Sequence, residues 1–159
     1  MPRFFRRFAE GVFDEEDVVR RANELADFVV AAASEYDFDV SRLTAVGYSN
    51  GANIAAAMIL LQPQVLSSAI LLRAMMPLSE PPVRALAGKR VLLSAGDCDS
   101  IISVFKVRSL ATLLQERGAD VQLAIQHAGH ALIAADLEVA NSGSKGSHVE
   151  SCQCGYASN

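Results

Sequence analysis

A chain of 159 residues with 51% hydrophobic content can bury one substantial core, so a single domain is expected. A net charge of −4 and a pI near 5.3 leave no electrostatic footprint for nucleic acid, and three cysteines, Cys98, Cys152 and Cys154, are too few and too unevenly placed for a disulfide framework. No apolar run reaches the roughly 18 residues a membrane span needs, and the basic, aromatic start Pro2-Arg3-Phe4-Phe5-Arg6-Arg7-Phe8 lacks the h-region of a secretory signal. The expectation is a soluble cytoplasmic protein without membrane partners.

Asp14-Glu15-Glu16-Asp17 opens a helical pattern that runs to about Tyr36, its acids suited to the positive end of the helix dipole. Val18, Ala22, Leu25, Ala26, Val29, Ala32 and Ala33 recur at helical spacing and supply one apolar face. After a loop at Tyr36–Asp39, Leu43-Thr44-Ala45-Val46 has the composition of a buried parallel strand. Gly47-Tyr48-Ser49-Asn50-Gly51 follows, and Ala52–Leu61 then holds strong helix formers up to a stop near Pro63. Strand, sharp turn and helix form the context in which G-x-S-x-G is a nucleophile elbow. In such a turn the serine backbone is strained, and side chains at positions 47 and 51 are expected to collide. The plainer alternative is a small residue in a tight strand-to-helix turn.

A second strand is predicted at Ser68–Arg73, and residues 74–88, with Pro77, Pro81, Pro82 and Gly88, read as an irregular excursion. Arg90–Gly96 is a third strand ending in the loop Asp97-Cys98-Asp99-Ser100. Val104–Arg117 is helical and closes at Gly118, a C-cap position. Ala119–Gln126 is a fourth strand followed by His127-Ala128-Gly129-His130, and a short helix is expected over Leu132–Ala140. Residues 141–159, rich in Ser and Gly, read as a mobile tail. His148, Cys152 and Cys154 in it form H-x3-C-x-C without a fourth ligand, so no metal site and no cofactor are expected.

Alternating strands and helices predict an α/β fold: a parallel sheet of about four strands with helices on both faces. Ligands bind such sheets beyond the carboxyl ends of the strands. Ser49, Asp97/Asp99 and His127/His130 all fall at those ends. A serine nucleophile needs a base within hydrogen-bond reach and an acid that fixes the base's tautomer. The order serine, aspartate, histidine is that of α/β-hydrolases. His130 follows Gly129 in a flexible loop and is favoured as base over His127, which reads as structural or solvent-facing. Asp99, followed by Ile101-Ile102, is favoured as acid over Asp97, which suits a turn cap. Cys98 reads as strand-end packing. Phe4, Phe5, Met75 and Met76 are candidates for apolar substrate contact, with core packing the alternative for each.

Gly47-Tyr48-Ser49-Asn50-Gly51-Ala52-Asn53 makes the chain resemble the phospholipase/carboxylesterase branch of the α/β-hydrolase superfamily, small serine esterases without large lids, from about Pro2 to Ala140. Gly96–Ile102 resembles that branch's G-x-x-D-x-I-V acid loop, which selects Asp99 over Asp97, and Ala128-Gly129-His130 resembles its G-G-H loop. The resemblance implies a triad of Ser49, Asp99 and His130 acting on a small-molecule ester, with the backbone N–H of Asn50 in the oxyanion hole. Ser103 stands where the branch often has proline. The segment resembling Pro2–Asp14 is preceded in family members by several strands and an H-G-x-G-type loop that supplies a second oxyanion donor. The alternative is therefore a truncated, weakly active or inactive hydrolase domain with a binding role. The Leu43–Val46 strand, mid-sheet in the family, is left with a free edge that invites a two-fold dimer unless residues 1–13 fold over it.

Overall fold

The computed structural model describes residues 4–9 and 11–144. Four strands, β3 (Thr44–Tyr48), β4 (Ser68–Leu72), β5 (Arg90–Gly96) and β6 (Asp120–Gln126), form a parallel sheet in sequential order. They start level, with Thr44, Ser68, Arg90 and Asp120 in register across the sheet. Tyr48 pairs with Leu72 and Leu72 with Ser94, while β5 and β6 run on together to Gly96 and Gln126. This register brings the chain segments after all four strands to one edge. A separate antiparallel hairpin, β1 (Arg7–Ala9) with β2 (Val12–Phe13), precedes them and turns at Gly11, whose φ of 71° suits glycine.

Successive sheet residues divide between two faces, as the strand period requires. Ala69, Leu71, Val91, Leu93 and Ala95 pack with helices α1 (Glu15–Tyr36), α2 (Asn50–Leu61) and α3 (Val104–Glu116). Ile70, Leu72 and Leu92 face α4 (Ala134–Ser144) through Val139 and Ala140. The expected helices on both faces are present, three against one. Asp14 caps α1 by accepting from Asp17 N–H, and Asp37, in the left-handed region at φ 52°, ends it. Helix α2 is buried along an unbroken run from Ala52 to Leu60, which explains why its sequence is apolar all round.

Helix α4 starts later and ends later than expected. At its start Ile133 N–H donates to the Asp136 carboxylate at 2.9 Å. At its end Gly143 lies so close to Leu92 that an added Cβ would come within 3.1 Å. Small residues that read as a loop in sequence let the helix lie flat on the sheet. Most of the expected tail, including His148, Cys152 and Cys154, lies outside the described residues.

β3 is an edge strand among the described residues, and Val46 on it is 67% exposed. The β1–β2 hairpin does not pair with that edge. Residues 74–88 are irregular, as expected, yet tied down at several points. Leu78 and Leu86 are buried, Ser79 N–H and Oγ donate to the Glu15 carboxylate at 3.0 Å, and Arg117 donates to the carbonyls of Pro81 and Pro82 at 2.9 and 2.8 Å.

Candidate active site

Ser49 stands between β3 and α2 with φ 52° and ψ −113°, a strained conformation for a residue with a side chain. Its N–H donates to Leu72 O at 2.8 Å, which pins the turn to the neighbouring strand. A Cβ at Gly47 would fall 2.4 Å from Gly51 O and 2.6 Å from Ala52 N. Position 51 differs from the expected collision: a Cβ there would meet only Phe4, at 3.7 Å. The turn is closed by Gly51's backbone pressing on Gly47, so only the first glycine is sterically required.

The three loops at the carboxyl edge meet. His130 Nε2 lies 2.9 Å from Ser49 Oγ, and His130 Nδ1 lies 2.8 Å from Asp99 Oδ2. Asp99 Oδ1 accepts from the N–H groups of Ile101 and Ile102 at 2.8 and 2.9 Å. Burial pushes the Asp99 carboxyl up, but Ile102 N–H, His130 and Ile101 N–H outweigh it and hold it below the usual carboxylate range. Gly96 permits this convergence, since a Cβ on it would sit 2.3 Å from Ala128 O. Tyr48 adds a brace that sequence reading did not anticipate: its hydroxyl donates to His130 O at 3.0 Å.

A second support was equally hidden in the sequence. Arg73, expected as the last strand residue, lies just past β4 at φ 57° and is fully buried. Its guanidinium makes a two-pronged pair with Asp136, 2.8 Å on each prong, and donates to Gly129 O at 3.1 Å and Ala131 O at 3.4 Å. Ser94 Oγ donates to the same Asp136 at 2.6 Å. Burial pushes the Asp136 carboxyl up; Arg73, Ser94 and Ile133 N–H more than offset this and hold it low. The arrangement grips the chain on either side of His130 from below.

Asp97, Cys98 and His127 occupy the same loops but stand outside that relay. His127 is solvent-facing, as one reading expected, and its Nδ1 lies 3.0 Å from Asp97 Oδ2. Cys98 is exposed rather than packed, because its chain position just past the sheet carries it beyond the core. Asp97 holds the Cys98 thiol above its ordinary range, which disfavours a thiolate nucleophile there. The same carboxylate holds His127 high, while His127 and Cys98 hold Asp97 low.

Two cavities meet at Ser49. One of about 230 Å³ is lined by Ser49, Asn50, His130, Met75, Ile102 and Phe13. A larger groove of about 660 Å³ runs along β3, lined by Phe4, Val46, Ser49, Ile54 and Met58 among others. Of the apolar contacts read from sequence, Phe4 and Met75 reach these cavities. Phe5 does not: it is buried against Phe13, ring centroids 5.0 Å apart, because the hairpin folds it inward. Met76 packs against the core instead.

With this geometry the sequence model of the dienelactone hydrolase family matches residues 6–152. The chain belongs to the dienelactone hydrolase family. Within the α/β-hydrolase superfamily it is similar to the Bacillus cereus carboxylesterase, with 42% identity and a TM-score of 0.89, covering 92% of this chain and 69% of that one. A carboxylesterase from Mesorhizobium loti is 32% identical with a TM-score of 0.87, over 91% of this chain and 69% of its own. MhqD of Bacillus subtilis (strain 168) is 41% identical over 140 residues, which are 88% of this chain and 70% of that protein. This member of the family thus spans part of the fold those relatives complete. No helix among the described residues is long and apolar enough to cross a membrane.

Proposed function

We propose that this protein is a serine carboxylesterase for short-chain esters. The observation that carries the reading is the continuous relay Ser49–His130–Asp99, with separations of 2.9 and 2.8 Å. Ser49 Oγ attacks the acyl carbon while His130 Nε2 takes its proton. Negative charge on the former carbonyl oxygen is met by the N–H of Asn50, the first residue of α2, where helix N–H groups lack intrahelical acceptors. His130 then gives its proton to the leaving alcohol, and the acyl-enzyme is hydrolysed by water activated in the same way. Asp99 keeps the proton of the neutral imidazole on Nδ1 throughout. These steps are complete without a cofactor.

The small cavity, rather than the β3 groove, is lined by both Ser49 and His130, so the reacting groups belong there. A space of about 230 Å³ favours acyl chains of about two to six carbons, each buried methylene adding at most ~0.8 kcal/mol. Hydrolysis of p-nitrophenyl acetate and butyrate, lowered about 10³-fold or more in Ser49→Ala, is the expected result. An equal rate in the variant would remove Ser49 as nucleophile, and a preference for ten carbons or beyond would point to the groove.

A second reading, a domain that binds without turnover, draws on the open side of Ser49 along the unpaired β3 edge. Among the described residues Asn50 N–H is the donor placed at Ser49, and an oxyanion hole with one donor fewer turns over about 10²–10³ more slowly. A fluorophosphonate probe separates the two: stoichiometric labelling of Ser49 supports the esterase, and a silent serine in folded protein supports the binding domain.

A further inference from the structure

The loops after β5 and β6 hold more chemistry than ester hydrolysis uses. His127 Nδ1 lies 3.0 Å from Asp97 Oδ2 and 3.9 Å from Cys98 Sγ, and the three donor atoms all lie within 4.8 Å of one another. Among the described residues this is the group of side chains whose chemistry and spacing suit a metal ion. We propose that Asp97, Cys98 and His127 form a binding site for one zinc ion, with water completing the tetrahedron.

Three observations carry the assignment. The first is distance. Tetrahedral zinc, with bonds of about 2.0–2.3 Å to N, O and S, sets its ligand atoms roughly 3.3–3.7 Å apart. The separations from His127 to Asp97 and to Cys98 bracket that range, and with all three atoms within 4.8 Å of one another, side-chain rotations that move them by about an ångström or less reach it. The second is charge. A carboxylate, a thiolate and a neutral imidazole carry two negative charges, which balance a divalent cation. On binding, the thiol proton leaves to solvent and His127 gives up the proton its Nδ1 donates to Asp97, so that the neutral ring coordinates through Nδ1 and carries its remaining proton on Nε2.

The third is backbone rigidity. Asp97 N–H donates to Gln126 O and Cys98 N–H to Ala128 O, each at 3.0 Å, and Ala128 N–H donates to Gln126 O at 2.9 Å. The two loops are thus zipped together by main-chain bonds before any ion arrives. With His127's side chain 87% exposed and Asp97's 44%, an ion enters without backbone rearrangement and a coordinated water has room. None of the three side chains belongs to the Ser49–His130–Asp99 relay, so the site stands whether or not the chain is an esterase.

Cobalt titration of the reduced, metal-stripped full-length chain tests it. The tail motif is controlled for by a Cys152→Ser/Cys154→Ser variant of the same length. In that variant one equivalent of Co2+ should raise a thiolate-to-cobalt charge-transfer absorption and the visible bands of a tetrahedral ion, both displaced by Zn2+. Adding Cys98→Ser should abolish the charge-transfer absorption. Adding His127→Gln should weaken Zn2+ binding at least tenfold, measured by competition with a chromogenic chelator. Both side chains are exposed, and circular dichroism should report an unchanged fold. If the signal persists without Cys98, vanishes on removing only the tail cysteines, or never appears, the assignment is wrong.

Discussion

Asp99 divides its two oxygens between tasks: Oδ1 accepts two backbone N–H groups and Oδ2 faces His130 Nδ1. An asparagine keeps the first task and reverses the second, because its amide donates where the carboxylate accepted. Asp99→Asn should therefore force the proton of His130 onto Nε2, where it cannot receive one from Ser49. Esterase activity should fall about 10³–10⁴-fold with the far-ultraviolet circular dichroism of the parent. Arg73 makes a different kind of residue-scale prediction. It and Asp136 are both 0% exposed, so removing one charge strands the other. Arg73→Met should cost about 3–5 kcal/mol of stability, and Arg73→Met with Asp136→Leu should recover much of it, read as urea midpoints.

At the level of elements, the elbow gives a contrast between its two glycines. Gly47→Ala drives a Cβ into fixed backbone 2.4 Å away and should abolish soluble expression or sharply lower the melting temperature. Gly51→Ala meets ordinary contact in the first turn of α2 and should change stability by less than about 1 kcal/mol, since alanine favours a helix. The four parallel strands, the three long helices and the meeting of Ser49, Asp99 and His130 were legible, because apolar runs, helical periodicity and strand-end position are local signals. What escaped was non-local. Arg73 ends an apolar strand, which already calls for a buried partner, but nothing in sequence says that Asp136 supplies it. The β1–β2 hairpin is too short to show alternation. Helix α4 runs past its expected end because Gly143 answers to Leu92 on another element, and Phe5 takes the packing role of its two readings because Phe13 lies across a turn.

For the molecule as a whole, carboxyls held low in the folded state link stability to pH. Asp14, bonded to Arg6, joins Asp99 and Asp136 in this group. A depressed carboxyl contributes fully above its unfolded value of about 3.9, and the contribution is lost as pH falls through the lower folded value. Melting temperature should hold from about pH 6 to 5 and drop below about 4. His127, held high, works oppositely: its contribution is present below about 6.5 and lost as pH rises through its folded value. Exposure keeps it small. Among the described residues β3 has an unpaired edge with Val46 open to solvent, and we propose that it pairs in a two-fold dimer. Light scattering at tens of micromolar should give twice the monomer mass, and a clean monomer would remove the idea.

The excursion at 74–88 crosses the molecule under restraint, tethered to Glu15 near one end and to Arg117 farther along. A segment fastened in this way does not swing aside when it meets an oil–water boundary. If the chain hydrolyses esters, its rate on tributyrin should climb smoothly and saturate as the substrate passes its solubility limit, with no jump when droplets form. Detergent micelles should compete for substrate rather than switch the protein on. On that reading the entrance stays fixed, and the esters it takes should be those that arrive dissolved.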